Sequence, residues 1–165
     1  MIKYVSEIKE IEFILSNLRD EDREELENLF GEDWYKRTLV SLKDEKFLIL
    51  YGQGNGEGRV PVAMGGFYDV KNENCSIACV WLLSSKFVDK NKTALMRVLR
   101  NQLYSTGTKY DILYNFIYKS NHGAKLWLKK LGFSFDNPNP KGIKLKNDFE
   151  FFYRRNRKGE IYGTV

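Results

Sequence analysis

Residues that bind metals or form disulfides are scarce here: two cysteines and a single histidine in 165 residues. A structural zinc site usually takes four Cys or His ligands, so these three are too few for one, and no metal is expected. Cys75 and Cys79 lie four apart in a segment that reads as a strand. Four strand residues span about 13 Å, and a disulfide needs its Cα atoms within about 7 Å. The two thiols are therefore expected as buried, small apolar groups in a reducing compartment. Long apolar runs are also missing. None approaches the roughly 20 residues that span a bilayer, and Met1 to Glu7 shows no secretory pattern. A cytoplasmic protein without a membrane partner is expected.

What is present is an ordinary globular balance, 42% hydrophobic and 30% charged, with an unusually aromatic content of ten Tyr and eleven Phe. The length suits one domain over residues 1–165, large enough to hold a core without staples, with a polar tail at 154–165. A net charge of +5 gives weak attraction to polyanions. Because the Lys and Arg are spread along the chain, nucleic acid is not the expected partner.

Hydrophobic periodicity gives the order of elements. Residues 1–5 read as a short strand. Ile11, Ile14, Leu15 and Leu18 have helical spacing. Asp20 or Asp22 is a candidate cap for a second helix carrying Leu26, Leu29 and Phe30 and stopped by Gly31. Asp33 is a candidate cap for a third, with Tyr35, Leu39 and Leu42 on one face. Lys46–Tyr51 and Val60–Tyr68 read as hairpin strands around the turn Gly52–Gly58, which strands bound on both sides and which is therefore no nucleotide loop. After a turn at Lys71–Asn74, Cys75–Leu83 is apolar on both faces and so central. A basic helix over Lys92–Tyr104 leads to a buried strand, Tyr110–Tyr118. A short helix over Asn121–Leu131 ends at Gly132 as its C′ residue. Phe133–Phe135 begins a strand, Asn137–Pro140 is a loop, and Phe149–Tyr153 is the last strand. The 75–117 stretch has the makings of a βαβ crossover. An antiparallel half feeding it predicts an α/β fold: a mixed, twisted sheet flanked by helices.

This order resembles the GNAT N-acetyltransferase fold. The strongest local match is Asn121-His122-Gly123-Ala124-Lys125-Leu126-Trp127-Leu128-Lys129-Lys130-Leu131-Gly132-Phe133. GNAT proteins commonly show Asn, Ala three later and a Lys-x-Gly-Phe ending in this place. Within that superfamily the chain looks closest to phage proteins of the internal-virion type. Four segments carry that likeness: Leu18-Arg19 with Asp22 to Glu25, Val60 to Ala63, Val80 to Leu83, and the Asn121–Phe133 helix with Phe149 to Arg154. The resemblance implies acetyl-CoA or CoA as cofactor and an amine acceptor. A phage origin adds a phage or host protein partner, and the host cytoplasm or the virion as location.

The resemblance also assigns candidate residues. Trp81, Leu82, Leu83 and Ser84 match the strand whose backbone pairs with the pantetheine arm; the alternative is a plain central strand. The CoA pyrophosphate normally lies on a glycine-rich turn opening the next helix, held by backbone N–H groups. That stretch here is Ser84 to Ala94 and has no glycine. Lys90 and Lys92 fall where the glycines stand, beside Asn91 and Thr93. They attract phosphate by charge, while each Cβ hinders close backbone approach. A second departure is Leu128, which replaces a Tyr that often serves as general acid. Tyr118 is the first substitute, ahead of Tyr114 and Ser120, and His122 is a candidate general base. Asn121 suits the thioester arm, a helix N-cap, or both. Arg19, Asp22 and Arg23 sit where the resemblance puts the acceptor side of the cleft, or form a solvated helix junction. The run Arg154 to Lys158 reads as a solvated terminus, or as a contact for nucleic acid or an acidic partner surface.

Two functions follow. One is an acyl-CoA-dependent N-acetyltransferase with a degenerate pyrophosphate loop. The other is a catalytically silent GNAT scaffold serving phage assembly, the virion or host interaction. A basic nucleic-acid-binding module is a weaker third.

Overall fold

A computed structural model describes residues 2–5, 7–43, 45, 47–56, 58–71, 75–136 and 148–156. The elements are β1 (Ile2–Val5), α1 (Ile8–Ser16), α2 (Asp20–Phe30), α3 (Trp34–Leu42), β2 (Phe47–Gln53), β3 (Arg59–Val70), β4 (Ile77–Ser84), α4 (Lys92–Gly107), β5 (Ile112–Tyr118), α5 (His122–Lys130) and β6 (Phe149–Arg155), with short 3-10 turns at Gly31–Asp33 and Lys86–Asn91. Hydrogen-bonded neighbours follow chain order, β1 to β6, in a six-stranded sheet. The pairs β1/β2, β2/β3 and β5/β6 are antiparallel and β4/β5 is parallel, so the sheet is mixed, as expected. Two compact units divide the chain: Met1–Phe67 with Trp81–Val98, and Tyr68–Val80 with Leu99–Val165.

The first unit has one apolar cluster. Ile11, Ile14, Leu15 and Leu18 meet Leu26, Leu42, Phe47, Ile49 and Met64 there, with Trp81 and Leu83 packed against it. Ile11, Ile14 and Leu15 of α1 thus face inward as their spacing predicts, while Leu18 lies beyond the helix in a bridge to Ser85. Of the three apolar residues expected on α2, Leu26 is buried, while Leu29 and Phe30 stay exposed. The β2/β3 hairpin forms around the glycine turn. It carries a bulge where Leu50 pairs with Ala63 and Tyr51 with Pro61, leaving Val62 as the extra residue. A bulge is one of the few places where a strand tolerates proline.

The second unit is built on a seven-pair β5/β6 ladder, from Ile112 opposite Arg155 to Tyr118 opposite Phe149. On one face Tyr114, Phe116 and Tyr118 stand opposite Tyr153, Phe151 and Phe149, with rings 5.4 Å apart in both the Phe116–Phe151 and Tyr118–Phe149 pairs. Such cross-strand pairs stabilise a sheet by about 0.2–1 kcal/mol each.

Several expectations change. Neither Asp20 nor Asp22 caps α2: the cap position is Arg19, and no side chain bonds there. Asp33 forms no cap bond either, because the 3-10 turn runs straight into α3. Phe133–Phe135 makes a single bridge, Ser134 to Tyr153, in place of a strand. β6 continues through Arg154 and Arg155, so the tail begins later than residue 154. Cys75 precedes β4, and both cysteines are half-buried. Most of the turn at 71–74, the 137–140 loop and residues 157–165 lie outside the described residues.

Candidate functional site

In the first unit the candidate residues gather at the end of β4. Ser84 is held on every polar atom. Its N–H and hydroxyl donate to Asp22 Oδ2 at 2.9 and 2.7 Å, and its carbonyl accepts the Arg19 N–H at 3.0 Å. Asp22 Oδ1 accepts from Arg19 Nη2 at 2.8 Å. Asp22 is 7% exposed, so its charge stands away from water and needs this partner. Burial opposes the charge on Arg19, but the Asp22 carboxylate beside it outweighs that and holds the guanidinium pKa above its ordinary value. Asp22 thereby does more than a cap would: it ties the start of α2 to the end of β4. Arg23 is exposed, with Asp20 at 3.4 Å and Glu27 at 3.8 Å.

The connection that follows is a 3-10 turn, Lys86–Asn91, leading directly into α4. A 3-10 turn uses its N–H groups on carbonyls three residues back; Val88 N–H, for one, donates to Ser85 O at 2.9 Å. The side chains are engaged as well. Asn91 accepts from Gln53 N–H at 2.9 Å and donates to Gln53 O at 3.0 Å and Phe87 O at 2.9 Å. It therefore pairs with the end of β2 as a strand residue would. Gly52 makes this possible, since a Cβ there would come within 2.2 Å of Asn91 Oδ1. Lys90 Nζ donates to Asn55 Oδ1 at 3.0 Å, and Lys92 Nζ pairs with Asp89 at 2.8 Å. Thr93 is exposed in the first turn of α4.

The second unit holds the other candidates. The parallel ladder joins Ile77, Ala78 and Cys79 to Ile112, Leu113 and Tyr114. Tyr118 is half-buried against Phe149. Asn121 is 2% exposed and caps α5, its Oδ1 accepting the Ala124 N–H at 3.2 Å. His122 is the first residue of that helix and is exposed. Gly132 has φ +82°. Its N–H donates to Lys129 O, and the Phe133 N–H donates to Leu128 O, each at 3.0 Å. This is the double-bonded helix stop that a positive φ permits. Burial pushes the Cys79 thiol up to about 11, which leaves it protonated and a poor nucleophile near neutral pH. Among the described residues no three His, Cys, Asp or Glu side chains form a group able to hold a metal ion, and no helix is long and apolar enough to cross a membrane.

No protein-family model matches the chain, and no curated protein does. Solved structures do. An aminoglycoside N(6')acetyltransferase from Legionella pneumophila superposes with TM-score 0.65 at 15% identity, over 94% of this chain and 91% of its own. A GNAT-family acetyltransferase from Bacillus anthracis gives 0.62 at 15%, over 94% and 93%. The PaiA N-acetyltransferase from Thermoplasma acidophilum, solved in complex with coenzyme A, gives 0.60 at 9%, over 94% and 98%. The fold is that of the GNAT acetyltransferases.

On this GNAT fold the predicted residues separate into two groups. Trp81–Ser84, Lys90–Thr93, Arg19, Asp22 and Arg23 belong to the first unit; Tyr118, Asn121 and His122 belong to the second. One residue escaped the sequence reading. Asn115, in the middle of β5, donates from Nδ2 to Val80 O at 2.6 Å and accepts the Phe116 N–H on Oδ1 at 2.8 Å. The available signal was an amide side chain with low strand propensity inside Ile112-Leu113-Tyr114-Asn115-Phe116-Ile117-Tyr118.

Proposed function

We propose that the chain is an acyl-CoA-dependent N-acyltransferase. The observation that supports this most is the GNAT fold, shared over 94% of the chain with an acetyltransferase solved with coenzyme A. In the reaction, an amine nitrogen bonds to the thioester carbonyl carbon and the carbon–sulfur bond breaks. The amine loses a proton and the departing CoA sulfur gains one. Backbone N–H groups of Trp81, Leu82 and Leu83 are the candidates to polarise the carbonyl; the N–H of Ser84 already serves Asp22. Tyr118 is the candidate acid toward the sulfur and His122 the candidate base toward the amine. Asn121 already caps α5, and any role toward the thioester arm adds to that. Lys90 and Lys92 attract the phosphates as charges, because the backbone N–H groups of a glycine cradle have no counterpart in a 3-10 turn. With Arg19 and Asp22 engaged with each other, Arg23 is the acceptor-side candidate open to solvent.

A second reading has its own support. The glycine-free connection is held by Asn91 on Gln53, Lys90 on Asn55 and Lys92 on Asp89, an arrangement that needs no ligand. In this reading the chain is a silent GNAT scaffold. The phage likeness, which rests on the sequence segments alone, makes a virion, assembly or host protein its partner.

Titration with acetyl-CoA and CoA by calorimetry separates the two. The enzyme reading expects micromolar binding and stabilisation of about 2.7 kcal/mol at a hundredfold excess over Kd. No heat and no thermal shift at millimolar ligand would leave the scaffold.

A further inference from the structure

Asn55 is the one asparagine of the chain that a glycine follows. The pair lies in the hairpin turn between β2 and β3, within the first unit, and both residues are exposed. An asparagine followed by glycine is chemically labile. The next backbone nitrogen is placed to attack the side-chain carbonyl carbon, and glycine leaves that nitrogen least hindered. Three observations mark this pair as reactive. A Cβ at Gly56 would meet nothing within 4 Å, so there is open space beside the nucleophile. Among the described residues no hydrogen bond takes the Gly56 N–H. Lys90 Nζ donates to Asn55 Oδ1 at 3.0 Å. An ammonium has donors only, so the carbonyl oxygen faces the cation and Nδ2, the leaving group, lies outside the contact. Asn91, in the same unit, is the contrast. Its Oδ1 and Nδ2 are both bonded to backbone groups of Gln53, which holds that side chain in place.

We propose that Asn55 is a self-modification site, deamidated with help from Lys90, and that the product then withdraws Lys90 from other anions. In the first step the Gly56 backbone nitrogen gives its proton to solvent base and bonds to Asn55 Cγ. Negative charge develops on Oδ1, beside the Lys90 ammonium that stabilises it. The Cγ–Nδ2 bond then breaks, and Nδ2 takes a proton and leaves as ammonia. The resulting succinimide adds one water at either ring carbonyl and opens to aspartate or isoaspartate. Nothing is oxidised or reduced. Either product sets a carboxylate where the amide stood, so the contact of Lys90 with a dipole becomes an ion pair. Lys90 is a charge that the acyltransferase reading offers to the CoA phosphates. The loss of that charge to CoA rests on that reading; the modification itself does not.

The test follows the purified chain at mildly alkaline pH by peptide mapping that separates amide, aspartate and isoaspartate, with Gly56→Ala and Lys90→Met alongside. The parent should gain both acids at position 55 while Asn91 keeps its amide. Gly56→Ala should nearly stop the reaction. Lys90→Met should slow it about two- to fivefold, the size of one exposed charged contact. A parent that keeps its amide overturns the proposal. So does an undiminished rate in Gly56→Ala or in Lys90→Met. Calorimetry at low salt reads the consequence: Asn55→Asp should bind CoA about two- to fivefold more weakly than the parent. Equal affinity overturns the withdrawal of Lys90. Should the parent itself bind no CoA, the acyltransferase reading fails by itself, and the rates still decide whether Asn55 is modified with help from Lys90.

Discussion

Each unit holds one end of β4 by the same device. At the N-terminal end Asp111 Oδ2 accepts from the Ser76 N–H at 2.9 Å and its hydroxyl at 2.8 Å. At the C-terminal end Asp22 Oδ2 accepts from the Ser84 N–H at 2.9 Å and its hydroxyl at 2.7 Å. The surroundings differ. Asp111 and Ser76 are half-buried. Asp22 and Ser84 are both buried, and Arg19 is added to them. The carboxylate withdrawn from water is held by a cation as well as by these two hydrogen bonds.

The comparison breaks most visibly at Asp22. Asp22→Ala leaves the half-buried Arg19 charge without its closest counter-charge and the Ser84 N–H and hydroxyl without this acceptor. Losing one partner of a buried pair costs about 3–5 kcal/mol, and urea denaturation should show a loss of that size. A loss under 1 kcal/mol would mean that water enters freely and that the two ends of β4 are alike. Arg19→Met comes next. It keeps the apolar stem and both serine bonds but removes the charged donor, so a cost of about 1.5–3 kcal/mol is expected, that of a hydrogen bond to a charged group. Asp111→Ala should cost less than Asp22→Ala, about 1–3 kcal/mol, because water can take over its donors. If the aspartate order reverses, burial does not set the difference.

Much of this was readable in the chain. The hairpin, the strand–helix–strand crossover and the Asn121-to-Gly132 helix are written in local signals: glycines between strands, helical spacing, an amide at the cap and a glycine at the stop. The features that escaped are those where a local signal is outbid by a distant partner. Asp22 has the type and position of a cap, yet Ser84, 62 residues away, takes its carboxylate. Asn91 stands where a phosphate loop was sought, and Gln53, 38 residues back, takes its amide. Asn115 reads as an unwelcome polar residue in a strand until Val80 and Phe116 are seen on either side of it. In each case a side-chain carboxylate or amide meets backbone groups remote in sequence, which no local pattern encodes.

The serines give the smallest effect and the sharpest form of the comparison. Ser84→Ala and Ser76→Ala each remove one hydroxyl donor and leave the backbone N–H bond to the aspartate intact, so neither changes charge and neither opens a large cavity. At Ser76 a water molecule can replace the hydroxyl beside a half-buried carboxylate, and the expected cost is about 0.5–1 kcal/mol, the lower part of the range for one net hydrogen bond. At Ser84 the acceptor is a buried carboxylate with no such substitute, and about 1.5–2 kcal/mol is expected, the lower part of the range for a bond to a charged group. The two differ in depth and share chemistry, so their ratio in matched denaturation curves measures what burial alone adds to the same bond. In the Arg19→Met background the Ser84→Ala cost should grow, since the carboxylate then depends on its remaining donors. Additive losses would show that Arg19 and Ser84 serve Asp22 independently.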